Sequence, residues 1–254
     1  MNKIIIDNNK LDDFNNDNLE VSNNNIKFIA NGEYNIEIKN CTNLDINIEV
    51  VDNVLAKVVI LSLDNNINSK FTYKLGESSN LLLFKFCSNI IDNSSSIIYL
   101  NGKYSKVSYN FSSICSKVSE YNIKIIHNNS YVSSNVYNKC IGNDGSKVSF
   151  NIDSILDKGN INCYMNQDTK IISMGDVDAS IRPNMYIEED DVEARHGSVI
   201  GRFSDDNLFY LMSRGIRKND AIKLMIKGFL LSSMAIDEDA LARILEVIVN
   251  NYDL

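Results

Sequence analysis

His196 is the residue of this 254-residue chain best placed to bind a metal, and it lies in the text DDVEARHGSVIG. A neutral imidazole suits iron and other first-row metals, and a carboxylate at Glu193 or Asp191 would orient the ring or add an oxygen donor. The text around it alternates as a strand. That places Asp191, Glu193 and Arg195 on one face and Val192, Ala194 and His196 on the other. Spacing alone therefore favours a hydrogen-bonded structural histidine at a strand end.

The remaining chemistry-bearing residues are scattered. Cys163 is a candidate ligand or persulfide carrier if a loop shifts it, although a buried strand thiol is the plainer reading. Cys41, Cys87, Cys115, Cys140 and Cys163 are odd in number and never spaced as Cys-x-x-Cys. They read as reduced thiols of a cytoplasmic protein. His127, in IKIIHNNSY, has no partner at metal-binding spacing. Asp176 and Asp178 could hold a cation, but acids at a turn are the commoner case. The run Glu188–Asp191 reads as a solvated edge that blunts strand pairing. Walker A, His-Glu-x-x-His and Gly-x-Ser-x-Gly motifs are missing, which argues against an ATPase or hydrolase.

Two kinds of element must position these residues. From Leu19 to about Ile172 the text consists of short period-two runs, such as YNIEIKN and SKFTYKL, broken by Asn, Ser, Asp and Gly. That is the pattern of an all-β region. SKVSY at Ser105, SKVSE at Ser116, SYVSS at Ser130 and SKVSF at Ser146 form an imperfect repeat. The step of 25 residues from Ser105 to Ser130 fits one coil of a β-solenoid. The single proline, Pro183, suits long ladders, and the scarcity of Asn-Gly hairpin turns favours a solenoid over a β-sandwich. After Ile200 the period becomes helical. Ser204 is expected to cap a first helix ended by Gly215, Asn219 a second and Asp237 a third. The expected domains are an irregular segment 1–18, a β core 19–203 and a three-helix domain 204–254. The stretch from Met174 to Leu231 is the junction between them.

Composition limits the partners. The net charge of −8 and the isoelectric point near 4.9 argue against nucleic acid and anionic membrane surfaces. No apolar run reaches membrane-spanning length, and the N-terminal apolar run is too short for a signal peptide. About one residue in seven is Asn, which together with the Ile and Lys content reads as nucleotide bias in the coding sequence.

The junction carries a more specific signal. Gly175-Asp176, Pro183 ahead of a strand, His196-Gly197, Gly201, LFYLMSRGI from Leu208 to Ile216, Ala221, Leu224 and Gly228-Phe229 follow one another over roughly sixty residues. In order and spacing they resemble the SufB/SufD family, the scaffold subunits of the Suf iron–sulfur cluster assembly machinery. The upstream β region matches only in character. The chain is shorter than typical members and is expected to lack much of their N-terminal helical region. SufB-like members carry Cys-Asp a few residues before the Gly-Asp pair and His-Glu-Ala at the histidine. Here Asp168-Thr169 and His196-Gly197-Ser198 stand at those places, and Cys163 is some five residues too early. These departures point to a SufD-like subunit.

The resemblance implies a right-handed parallel β-helix with C-terminal helices. It implies pairing with a second SufB/SufD-like scaffold, as homodimer or heterodimer, and docking of the helices on a SufC-type ABC ATPase. It also implies a transient Fe–S cluster or iron at a subunit interface, with His196 as a ligand and the neighbouring subunit supplying sulfur. No nucleotide is expected on this chain, and the ATPase would do the catalysis. Phe209, Tyr210, Arg214, Gly215 and Phe229 are the expected ATPase-facing residues, with Arg214 and Gly215 also serving the helix end. The competing reading is a stand-alone β-solenoid that binds or cleaves carbohydrate, which needs a groove of aromatics and paired carboxylates. The chain has no Trp, and that reading leaves the Leu208–Ile216 block unexplained.

Overall fold

The computed structural model describes residues 2–11, 17–63, 66–232 and 236–252. In chain order the strands are β1 (Asn2–Asp7), β2 (Lys10–Leu11), β3 (Leu19–Ser22), β4 (Asn25–Phe28), β5 (Gly32–Lys39) and β6 (Asn43–Val50). There follow β7 (Leu55–Leu63), β8 (Asn66–Leu75), β9 (Asn80–Ser88), β10 (Ile91–Leu100), β11 (Lys106–Cys115) and β12 (Val118–His127). The last are β13 (Ser133–Asn143), β14 (Lys147–Leu156), β15 (Cys163–Met174), β16 (Asp178–Ile187) and β17 (Val192–Gly201). Three helices complete the chain: α1 (Asp205–Ser213), α2 (Lys218–Leu231) and α3 (Glu238–Tyr252).

Successive strands alternate between two sheets, so the chain winds as a parallel β-solenoid of about six turns. One sheet runs β17-β15-β13-β11-β9-β7-β5-β1-β2, the other β16-β14-β12-β10-β8-β6-β4-β3. The inward side chains of both sheets form one apolar core, in which Phe111, Tyr121 and Phe150 meet at ring-centroid distances of 4.7–5.9 Å. The serine repeat marks corners. Ser105, Ser116, Ser130 and Ser146 precede β11, β12, β13 and β14, so consecutive copies lie half a coil apart on opposite sheets. Among the described residues, six of the nine non-glycine residues with positive φ are Asn, all at corners or hairpin turns. Asn tolerates the left-handed region better than most residues. The Asn content that reads as nucleotide bias therefore has a structural use.

The first 18 residues are not wholly irregular. β1 lies parallel on β5 with Ile4 and Ile6 buried, because its apolar alternation matches the next rung. Residues 1 and 12–16 of that segment lie outside the described residues. Antiparallel β1–β2 and β3–β4 pairs close this end of the solenoid with strands of two and four residues at the edges. Edges that short offer little to a passing strand.

The helices do not cap the opposite end. α2 and α3 lie along the flank, against the outer face of the sheet that contains β7, β9, β11 and β13. That face supplies Val59, Leu61, Phe84, Phe86, Ile114 and Ile141, and the helices supply Ile226, Leu230, Ile244 and Ile248. Each such side chain stabilises the docking by roughly 1.5–3 kcal/mol. The strands beneath are buried on both faces, which explains near-continuous apolar runs such as LLLF and KVVIL. Polar pins fix the helices: Arg243 pairs with buried Glu37, Ser112 Oγ donates to the Leu230 carbonyl at 2.8 Å, and Tyr252 OH donates to Asn143 at 2.6 Å.

Helix ends follow the sequence in part. Asp237 accepts the Ala240 N–H at 2.8 Å as the expected cap of α3. Gly215, at φ +87°, ends α1 with Ile216 N–H bonded to Leu211 O and its own N–H to Met212 O. Ser204 sits at the start of α1 without a capping side-chain bond. α2 has Arg217, not Asn219, as its N-cap residue, and the Arg217 guanidinium pairs with Asp220 of the first turn at 3.0 Å.

Rung stacking leaves no room at some corners. A Cβ on Gly102 would fall 2.0 Å from the Glu77 nitrogen of the rung below. Gly102→Ala is expected to destabilise by ~1–3 kcal/mol. Gly228→Ala, in open space on α2, should stabilise by about 0.5–1 kcal/mol. Denaturant titration of the two variants checks the contrast.

Candidate functional site

The C-terminal end of the solenoid is unfinished. β17 pairs with β15 on one side only, and β16 with β14. Pro183 sits in β16, where its missing N–H costs no ladder bond on the free side. β17, of the same ten-residue length, has no proline, and its side chains are mostly exposed on both faces, including Val199 and Ile200.

Register decides what each β17 residue can touch. Val192, Ala194, His196, Ser198 and Ile200 stand over Cys163, Met165, Gln167, Thr169 and Ile171, all buried inward-facing residues. His196 therefore extends an interior column and is exposed because no further rung covers it. Glu193, Arg195 and Gly197 continue the outer face over Tyr164, Asn166 and Asp168. Arg195 lies over the Tyr164 ring, 5.2 Å from its centroid, and donates to the Tyr164 hydroxyl. Asp168 is held by Lys170 at 3.1 Å. Asp191 accepts from the Asn162 side chain at 2.9 Å at the corner. Neither acid proposed to orient the imidazole is brought to it: Glu193 is on the other face and Asp191 is engaged with Asn162.

Cys163 is likewise kept apart. Its Sγ is buried against the carbonyls of Asn129 and Asn160 at 3.4 and 3.5 Å, and burial pushes the thiol pKa up. Along β15 it lies four residues from Gln167, about 13 Å by strand rise. All five cysteines are buried and free. His127 is a core residue. It replaces the leucines of its column, Leu100 and Leu156, and bonds the Ile155 carbonyl at 3.1 Å and Ser134 Oγ at 2.9 Å. Asp176 and Asp178 serve the corner: the Asp176 N–H donates to Asp144 at 2.7 Å, and Asp178 pairs with Lys147 at 3.1 Å. Gly175, at φ +120°, makes that corner possible. In the Glu188–Asp191 run, the Glu189 carboxylate accepts the Gly159 and Asp190 N–H groups, which hold its pKa below the usual range. Among the described residues no group of three or more His, Cys, Asp or Glu side chains is gathered to hold a metal.

A second exposed feature lies on α1, which buries no residue. Phe209 is 73% exposed and Tyr210 56%, with the Arg214 guanidinium over the Tyr210 ring. Phe203, Asn207, Tyr210, Leu211, Leu224 and Met225 line a groove of about 380 Å³ between α1 and α2. Phe229 does not belong to this free surface. It is half-buried, edge-on to Phe203 at 6.1 Å and packed with the flank cluster, because it faces the sheet side of α2. Sequence reasoning passed over Gln167 and the exposed Val199-Ile200 pair. Their signal was the apolar pair at the end of the last strand, legible only once that strand is known to be the last.

No helix of the described chain is long and apolar enough to cross a membrane. The groove of about 490 Å³ on the outer face of β6, β8 and β10 is lined by Asn43, Asn68 and Asn93 amides with Asp45 and Lys70, and carries no aromatic ring or carboxylate pair for a sugar.

Comparison with known proteins agrees with the solenoid and its junction. The chain is 34% identical over 88 residues to the iron-sulfur cluster assembly protein SufD of Bacillus subtilis, covering 34% of this chain and 20% of that one. It is 31% identical over 104 residues to SufD of Escherichia coli, covering 41% and 25%. A SufBD family protein of Mycobacterium leprae is 52% identical over 48 residues, 18% of this chain and 12% of its own. The matched segments thus span a quarter or less of these relatives. The sequence model of the family described as SUF system FeS cluster assembly, SufBD core domain, matches residues 65–229, from β8 through the unfinished end to α2, and the chain belongs to that SufB/SufD family.

Proposed function

We propose that this chain is a non-catalytic, SufD-like scaffold subunit of a Suf-type iron–sulfur assembly complex. It pairs with a second SufB/SufD-like scaffold through β17 and docks a SufC-type ABC ATPase on α1. His196 is one ligand for the cargo, iron or a nascent cluster, at the paired end. The observation that carries this reading is the unfinished end itself: a bare ten-residue strand edge with an exposed imidazole in its interior column. One imidazole cannot complete a tetrahedral site, so the other ligands come from the facing scaffold and from the cargo. SufD-like character rests on Asp168 and Gly197 standing where SufB-like chains have Cys and Glu. Both side-chain positions face outward, away from the His196 column.

Light scattering of the chain alone, then mixed with the SufB-like scaffold and SufC-type ATPase of its organism, tests the reading. Deleting the helices is a poor probe, since it would bare Val59, Leu61, Phe84 and Phe86. Substitution on α1 is cleaner. Phe209→Glu with Tyr210→Glu is expected to weaken ATPase binding at least ~100-fold, as loss of aromatic anchors does, with the unfolding midpoint unchanged. A full-affinity complex with that variant would remove α1 from the interface, and no complex with the wild-type chain would remove the docking role.

A further inference from the structure

We propose that Gln167 is the positioning residue for His196, its side-chain oxygen accepting the imidazole N–H and so fixing which ring nitrogen faces the cargo. This rests on the reading of His196 given above. Gln167 is 2% exposed and lies directly beneath His196 in the same inward-facing column, one rung down. Rungs are spaced about 4.8 Å apart, so an imidazole in one rung stands within hydrogen-bond reach of an amide in the next.

The amide is not free to turn. Its Nε2 donates to Ser154 Oγ at 2.8 Å and to the Asn184 carbonyl at 3.2 Å, bridging to the opposite sheet. Exchanging nitrogen and oxygen would set Oε1 against the Asn184 carbonyl oxygen. Both N–H groups are thus committed, and Oε1 is left as a buried acceptor with no partner in the described structure. A buried acceptor without a donor costs ~1–3 kcal/mol, and the residue stacked over Gln167 in the ladder register, His196, is exposed and carries a ring N–H that can turn toward it.

The consequence is chemical. Metal-binding imidazoles are oriented through the N–H on the far side of the ring, and removing that partner typically costs 10–100-fold in metal affinity. The acids near His196 in sequence cannot serve, since Glu193 faces outward and Asp191 holds Asn162. With the ring N–H directed down to Gln167, the other nitrogen presents its lone pair at the open end.

The chain has only two histidines, so ¹⁵N-histidine labelling of the full-length protein gives a spectrum of two imidazoles, and His196→Ala assigns them. In alkaline buffer the wild-type His196 ring should show one protonated and one unprotonated nitrogen. Gln167→Met, similar in shape but with no carbonyl acceptor, should shift both nitrogens toward the averaged values of a freely solvated ring. Ferrous iron loading of the assembled complex should fall about tenfold or more in Gln167→Met. Should Gln167→Met not fold, Gln167→Leu, which likewise lacks the carbonyl acceptor, should mobilise the ring proton in the same way. An unchanged His196 spectrum in these variants overturns the positioning role even where His196→Ala abolishes iron loading. Undiminished iron loading in His196→Ala overturns the functional reading itself and, with it, the proposed role.

Discussion

Val199→Lys combined with Ile200→Lys is expected to leave the chain folded but unable to pair with another scaffold. The two side chains are about half exposed in the last strand, on opposite faces of it, so neither has core packing to lose. Surface substitutions of that kind usually change stability by no more than ~0.5 kcal/mol. Pairing is another matter. A strand added to β17 must bring its own side chains against these two positions and desolvate whatever stands there. Two ammonium groups without partners would raise the dissociation constant at least ~100-fold, equivalent to about 2.7 kcal/mol. Sedimentation or light scattering measures it. The substitution Tyr186→Lys in β16, near the Pro183-blunted edge, is the control. If the β17 variant pairs as tightly as the wild type, the scaffold contact lies elsewhere.

The second large effect is on stability below neutral pH. His127 is 1% exposed, and burial pushes its pKa down to about 4 from an ordinary 6.5. Its bond to the Ile155 carbonyl offsets only part of that. The unfolded chain therefore takes up a proton at this residue well before the folded chain does. Above the ordinary histidine pKa both forms are neutral and the residue adds no pH dependence. As the pH falls from 6.5 to 4 the unfolded state alone gains the proton, and folding stability drops by about 3 kcal/mol. Below 4 both states are protonated and the loss levels off. Denaturant titrations at intervals between pH 7 and 4 read this slope. In His127→Leu, the side chain already present on either side in that column, the slope should shrink by the same amount. The difference between the two proteins isolates His127 from the carboxylates that titrate alongside it.

How much of this was legible in the sequence depends on whether the deciding interaction is local. Period-two runs of Ile, Val and Phe with Asn and Ser at the breaks specify strands and corners through contacts within a few residues, and those appear where expected. Alternation also placed Glu193 and Arg195 on one face of β17 and His196 on the other, because side-chain direction along a strand is fixed by backbone geometry alone. Asp237 and Gly215 mark helix ends for the same reason: a cap satisfies N–H or C=O groups one turn away.

What sequence reasoning could not reach involves residues brought together across coils. The apolar runs of β7 and β9 read as strands but did not reveal that α2 and α3 cover their outer faces, since that requires matching a helix stripe to four strands at once. Phe229 is half-buried against the flank, while Phe209, on a helix that fully buries none of its residues, stays exposed. Gln167 sits 29 residues before His196, and only the ladder register, set by the length of the last coil, puts one above the other. The sequence alone determined that the chain is a β-solenoid of the SufB/SufD kind with three helices after it. The tertiary structure decided which end remains open, which helix remains free and what stands beneath the histidine, because each of those depends on which surfaces the rest of the chain leaves uncovered.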